Sequence, residues 1–154
     1  MAALKTAWNW RGRLAKGELG AELIEFALVL PLLLLLVLGI VDFGFLFQRL
    51  EVITNAAREG ARVAVLPGYT SADVTARVTN YLTQGGVPVG VGNPVINVNS
   101  VTVTAGTKNV VSREVVVTYS HSYMFLSGLA RWFGGSFSTV PLRGASTMRL
   151  EGGS

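Results

Sequence analysis

The chain has 154 residues, of which 50% are hydrophobic and 14% are charged, and it contains no cysteine. This length suits one ordinary domain or a small domain with one accessory element. A chain so poor in charge, against a typical ~25%, is apolar enough to fold rather than remain disordered. The lack of cysteine excludes disulfides and any zinc, haem or iron–sulfur centre with cysteine ligands.

Most of the net charge of +4 lies in the first 20 residues. Four basic residues there outnumber one acidic residue, whereas residues 21–154 have nine basic and eight acidic residues. A basic tail directly before an apolar segment is typical of membrane topology signals rather than of nucleic-acid binding. We therefore expect no nucleic-acid partner.

An apolar segment long enough to cross a membrane follows this tail. Residues 26–41 contain no charge, and after Asp42 the apolar pattern continues to Phe47. As a helix, this segment is ~33 Å long, enough to cross ~30 Å of hydrocarbon. Asp42 then lies either at the far membrane interface or in a helix–helix contact within a complex. Pro31 predicts a kink, because it has no N–H to donate to the carbonyl of Ala27.

The residues around the segment favour a single transmembrane helix that is not cleaved off as a secretory signal. Basic residues are more numerous before it than directly after it: Lys5, Arg11, Arg13 and Lys16 against Arg49, Arg58 and Arg62. This bias predicts a cytoplasmic N-terminus and an extracytoplasmic C-terminal part. A cleaved secretory signal is disfavoured, because the segment is long, no A-x-A site follows it, and Glu22 and Glu25 precede it.

Residues 20–26, GAELIEF, resemble a prepilin processing site. In prepilins a short basic leader ends in glycine, cleavage follows the glycine, and the fifth residue of the mature chain is glutamate. Cleavage between Gly20 and Ala21 places Glu25 at that position. Phe26 comes next, where the Flp-type pilins and pseudopilins of tight-adherence systems carry an aromatic residue. Over residues 22–44, 54–65 and 145–151 the chain resembles the TadE-like proteins of those systems.

The resemblance implies that residues 1–20 are a prepilin-type leader, removed by a prepilin peptidase, and that the other partners are membrane lipid and pilin-like subunits. A carboxylate at the edge of the hydrocarbon should be paired, since carrying it to the bilayer centre costs up to ~2.5–3.5 kcal/mol. The new ammonium of Ala21 would lie four residues before Glu25, on the same helix face. The resemblance implies that they pair during assembly, within one subunit or between two. The alternative is that Glu22 and Glu25 are ordinary acidic residues at a helix N-terminus.

The helical pattern continues beyond the span as a stem. Small and apolar residues recur at three- and four-residue spacing: Leu50, Ile53, Ala57, Ala61 and Ala64. We expect the helix to run to about Val65 and to end at Pro67-Gly68. Its small side chains allow close packing, either on the protein's own sheet or against a partner subunit.

Residues 67–154 form the predicted head. A second helix is expected from a cap at Thr70 or Ser71 to Gly85-Gly86. Residues 98–105 and 110–119 predict a hairpin with a turn at 106–109, and residues 140–150 predict a third strand. A short amphipathic helix between Tyr123 and Phe133 either closes the sheet or rests on the membrane.

The predicted fold class is therefore α+β. A long N-terminal transmembrane helix precedes a small β-rich extracytoplasmic head with an antiparallel sheet of about three strands and one or two short helices. The predicted boundaries are a leader at residues 1–20, helix and stem at 21–66, and the head at 67–154.

The residues that could support catalysis are isolated. His121 has neither a second metal ligand nor a nucleophile partner in the sequence, and the carboxylates show no paired spacing. We expect no enzyme activity, metal, cofactor or small-molecule substrate. The leading hypothesis is a pilin-like structural subunit, a minor pilin or pseudopilin, processed after Gly20. The alternative is an unprocessed, single-pass membrane-anchored protein whose head binds an extracellular ligand.

Overall fold

The computed structural model describes residues 11–90, 93–132, 134–135 and 139–150. They form helices and strands in this order: α1 (Arg11–Ala64), α2 (Ser71–Gln84), β1 (Val95–Ala105), β2 (Lys108–His121), α3 (Leu126–Trp132) and β3 (Val140–Arg149). The strands make one antiparallel sheet in the order β1-β2-β3. The predicted α+β layout, with one long apolar N-terminal helix and a small three-stranded sheet, is confirmed.

From Leu23 onward, the first half of α1 exposes its large apolar side chains instead of packing them on the other described residues. The helix has 54 residues and is therefore ~81 Å long. In the part of the chain that the structure describes, it is the one helix long and apolar enough to cross a membrane, and no residue of its most apolar stretch is buried. Pro31 lies inside this stretch, and the helix continues beyond it. A core helix of a soluble domain would instead be buried by its own chain.

The second half of α1 is the centre of the hydrophobic core. Ile53, Ala56, Ala57 and Ala61 are fully buried, and the helix packs against β2, β3 and α2. Of the two interpretations of this small-residue face, the structure therefore shows packing on the protein's own sheet. The stem and the head share one core.

The second helix begins and ends at the predicted residues. Thr70 is its N-cap: the Thr70 side chain accepts a hydrogen bond from the Asp73 backbone N–H, and the Asp73 carboxylate accepts one from the Thr70 backbone N–H at 2.8 Å. These hydrogen bonds from Thr70 lower the pKa of Asp73. Buried Val74, Val78 and Leu82 hold α2 on the core, and the helix ends at Gly85.

The hairpin is confirmed, with longer strands and a shorter turn than the sequence predicted. β1 begins at Val95, and Ala105 pairs directly with Lys108. The turn is therefore reduced to Gly106-Thr107, where Gly106 has a positive φ of 65°. On β2 the side chains of Val115, Val117 and Tyr119 are buried in the core below α1.

Strand β3 approaches α1 unusually closely at Gly144. This residue is the register partner of Val117 in β2. A Cβ atom at Gly144 would lie only 2.8 Å from the carbonyl oxygen of Ile53 and 2.9 Å from the Cα of Thr54. The absence of a side chain is what allows the sheet and the helix backbone to come together here.

Candidate functional site

The residues predicted for processing lie together on the exposed half of α1. Of the predicted leader, residues 1–10 lie outside the described residues, and α1 begins at Arg11. Gly20 and Ala21 are helical in this structure, so a peptidase that needs extended backbone must open the helix there. Glycine weakens a helix interior by about 1 kcal/mol relative to alanine, which makes Gly20 a favourable point for such opening.

The two acidic residues before the span have no partner within the described part of the chain. Glu22 and Glu25 are both exposed on α1, and the structure shows neither in a salt bridge or hydrogen bond. Phe26, beside Glu25, is 57% exposed. The pairing predicted for Glu25 is therefore not seen among the described residues, and it stays a prediction.

Large apolar side chains surround α1 between Leu23 and Phe47, and we call this surface the apolar belt. It comprises Leu23, Ile24, Phe26, Leu28, Val29, Leu30, Leu32, Leu33, Leu34, Leu35, Leu36, Val37, Ile40, Val41, Phe43, Phe45 and Phe47, all of them exposed. Each such side chain gains roughly 1.5–3 kcal/mol when it is fully removed from water. Across the belt this amounts to tens of kcal/mol, so the belt needs lipid or other helices around it.

Asp42 lies within the belt but points into the head. Its carboxylate is 1% exposed and accepts hydrogen bonds from three successive backbone N–H groups: Met124 at 3.0 Å, Phe125 at 3.0 Å and Leu126 at 2.7 Å. These are the unpaired N–H groups at the start of α3, and a carboxylate there also interacts favourably with the helix dipole. Asp42 thus fastens α3 to the apolar half of α1.

This contact was missed by the sequence analysis, which considered only the membrane interface or a helix–helix contact for Asp42. A signal was present, because α3 starts after Tyr123-Met124-Phe125 and these residues have no side chain that commonly caps a helix. The short predicted helix itself is present, although its predicted limit, Phe133, lies outside the described residues.

Arg49 and His121 form a second contact between α1 and the head. Arg49 Nη1 donates a hydrogen bond of 2.8 Å to His121 Nδ1, so His121 is the neutral tautomer with its proton on Nε2. The His121 ring is 2% exposed and stands edge-on to Tyr123, which in turn stands edge-on to Phe43. Burial and the neighbouring Arg49 charge lower the pKa of His121, and the Asp42 charge opposes them.

The arrangement around His121 fits a structural contact better than a catalytic one. Its Nδ1 lone pair is occupied by Arg49, and Nε2 is buried without a hydrogen-bond partner within the described residues. Nor do those residues contain a group of three histidine, aspartate or glutamate side chains suited to a metal ion. The chemistry that the geometry supports is the fastening of the head to α1.

We expect the head to lose stability on mild acidification, because the imidazole of His121 is buried in its neutral form. In the unfolded chain His121 binds a proton as the pH falls through about 6.5, whereas in the folded protein it resists protonation until a lower pH. The contribution of neutral His121 to the stability of the folded protein is therefore fully present above pH ~6.5 and is lost as the pH falls below that value. Thermal unfolding of the detergent-solubilised chain should show a lower melting temperature at pH 5 than at pH 8.

The matched variant is His121→Gln, which keeps a polar side chain but does not titrate. We expect the difference between pH 8 and pH 5 to shrink in this variant. Asp73 does not interfere, because its pKa is lowered from 3.8 and it stays charged in this range. An unchanged pH dependence in His121→Gln would show that another group is responsible.

Comparison with known protein families finds a match for part of α1. Residues 20–62 match the family model described as TadE-like protein. The matched range begins at Gly20, spans the apolar belt, and ends within the packed half of α1. No curated protein and no solved structure significantly matches the chain. The resemblance predicted from the motifs is thus confirmed along residues 20–62 of α1, which are similar to TadE-like proteins. The resemblance over residues 145–151 lies outside the matched range and stays a prediction.

Proposed function

We propose that the chain is a pilin-like structural subunit, a minor pilin or pseudopilin, of a tight-adherence pilus or secretion apparatus. A prepilin peptidase removes residues 1–20, and the subunit assembles through α1. The observation that carries this proposal is the apolar belt: the segment that matches the TadE-like family is a helix whose first half is not covered by any of the described residues and whose second half is the core of the head.

Before assembly, the apolar belt holds the chain in the cell membrane as a single-pass protein. Its length fits the hydrocarbon layer, and the basic residues before it favour a cytoplasmic N-terminus with the head on the opposite side. In an assembled pilus or complex, helices of neighbouring pilin-like subunits replace the lipid around the belt. Both environments remove the same apolar side chains from water.

Glu25 gives the assembly step its specificity in this proposal. The carboxylate is exposed at the N-terminal end of the belt and has no partner among the described residues. Cleavage after Gly20 creates an ammonium on Ala21, one helical turn earlier. The ammonium of the same subunit or of a neighbour pairs with Glu25, because a charge left unpaired in hydrocarbon carries a large cost.

The test compares Glu25→Ala with Glu22→Ala in the native host. Both replace an exposed glutamate on the same helix, but only Glu25 becomes the fifth residue of the processed chain. We expect Glu25→Ala to reduce co-purification with other pilin-like subunits at least ~10-fold, since an unpaired charge costs about 2.5–3.5 kcal/mol. Glu22→Ala should remain near wild type. Equal assembly and cleavage in both variants would refute the role of Glu25.

A further inference from the structure

We propose that the segment Met124–Phe125 inserts into the membrane surface beside α1. The head then contacts the lipid directly and is not separated from the membrane by an uncovered length of α1. This inference relies on the proposed membrane anchor but not on cleavage or assembly. It assigns a second membrane contact to a part of the head that is more than 75 residues away from the belt along the chain. Its partner is the lipid bilayer itself.

Asp42 fixes the position of Met124–Phe125 along the axis of α1. The hydrogen bonds from Met124, Phe125 and Leu126 hold the start of α3 at the level of residue 42. The apolar belt continues for five more residues, to Phe47, which is ~7.5 Å farther along the helix axis. The start of α3 therefore lies beside the belt and not beyond its end.

Apolar side chains are exposed on both α1 and the start of α3 at this level. Met124 is 64% exposed and Phe125 is 36% exposed, while Val41, Phe45 and Phe47 of α1 are exposed at about the same height. Tyr123 joins the two parts through its edge contact with Phe43, with ring centres 6.2 Å apart. Because the hydrogen bonds to Asp42 hold Met124 and Phe125 beside the belt, we expect lipid that covers the belt to cover these two side chains as well.

The polar groups at this level are arranged so that contact with lipid is tolerable. Non-helical backbone is tolerated at membrane depth only where its polar groups are satisfied by protein or water. Here the Asp42 carboxylate accepts from all three N–H groups and is itself shielded from the surroundings. Arg49, two turns farther along α1, is directed at His121 in the head. The charged groups of Asp42 and Arg49 thus face the protein.

The absence of native cysteine permits a direct test with single-cysteine variants of the full chain. Nitroxide labels are placed on Met124→Cys, on Leu33→Cys in the belt, and on Tyr69→Cys at the far end of α1. Met124 and Tyr69 are similarly exposed, at 64% and 55%. The end of α1 lies ~33 Å beyond Asp42, which places Tyr69 well outside the hydrocarbon.

The labelled proteins are reconstituted in phosphatidylcholine vesicles, and collision with molecular oxygen is compared with collision with a polar nickel chelate. Relative to Tyr69, the label at Met124 should be at least ~5-fold less accessible to the chelate, because polar solutes partition poorly into apolar surroundings. A label on Phe125→Cys should report the same shift. Near-ultraviolet circular dichroism confirms that each variant is folded.

The Leu33 label separates the two ways in which the result can fail. If Leu33 is in lipid while Met124 and Phe125 are as accessible to the chelate as Tyr69, the head does not rest on the membrane and only the present inference is overturned. If Leu33 itself is accessible to the chelate, the membrane anchor is wrong and both proposals fall.

Discussion

Replacing Gly144 with alanine is expected to lower the free energy of unfolding of the head by about 1–3 kcal/mol, the usual cost of forcing extra atoms into a packed core. The new Cβ would lie 2.8 Å from the Ile53 carbonyl oxygen and 2.9 Å from the Thr54 Cα. Both are backbone atoms of α1 and cannot rotate aside, so β3 must move away from the helix. Thermal unfolding of the detergent-solubilised full chain, followed by circular dichroism, measures the loss.

Gly128→Ala is the matched control for this change. Gly128 lies within α3, and a Cβ there would have no neighbouring atom within 4 Å. Alanine is favoured over glycine in a helix by up to about 1 kcal/mol, so this variant should be neutral or slightly more stable than wild type. A wild-type melting temperature for Gly144→Ala would mean that β3 does not approach α1 as the structure shows.

Asp42→Ala is expected to release the start of α3 from α1 and to cost about 2–3 kcal/mol. The estimate combines the usual effect of losing a helix N-cap with the greater strength of hydrogen bonds to a charged acceptor. Three backbone N–H groups lose their acceptor at once. Hydrogen exchange measured by mass spectrometry should therefore become faster in the peptide that covers residues 123–132, in addition to a lower melting temperature.

Asp42→Asn separates the loss of charge from the loss of the acceptor. Asparagine keeps the shape of the side chain and one carbonyl oxygen, so at most part of the hydrogen bonding is preserved. We expect it to melt between wild type and Asp42→Ala. If the amide hydrogens of residues 123–132 exchange at the same rate in wild type and both variants, Asp42 does not hold α3.

The elements that were predictable are those whose signals are local in the sequence. The apolar segment predicted the long helix, and Thr70 or Ser71 was the predicted cap of α2, of which the structure shows Thr70. The hairpin was recognised from its β-branched runs, but its first residues were missed. Asn97 is a poor strand former by itself, and its place in β1 depends on pairing with Val116 of β2.

The features that were not predictable depend on contacts between distant parts of the chain. Asp42 meets its partners 82 to 84 residues later, and no periodic pattern links them. The small residues of the stem, such as Ala56 and Ala57, fit a sheet or a partner helix equally well, so only the fold distinguishes the two. The need for glycine at position 144 could not be predicted from the sequence either, because it arises from the close approach of the α1 backbone.

The mass of the mature protein is the most direct test of the proposed function. The chain is extracted from the membranes of its native host, and its N-terminus is determined by intact-mass and peptide mass spectrometry. We expect the chain to begin at Ala21, and we expect Gly20→Leu to block this trimming without removing the protein from the membrane. A native chain that keeps residues 1–20 would contradict processing and would favour the unprocessed, membrane-anchored alternative.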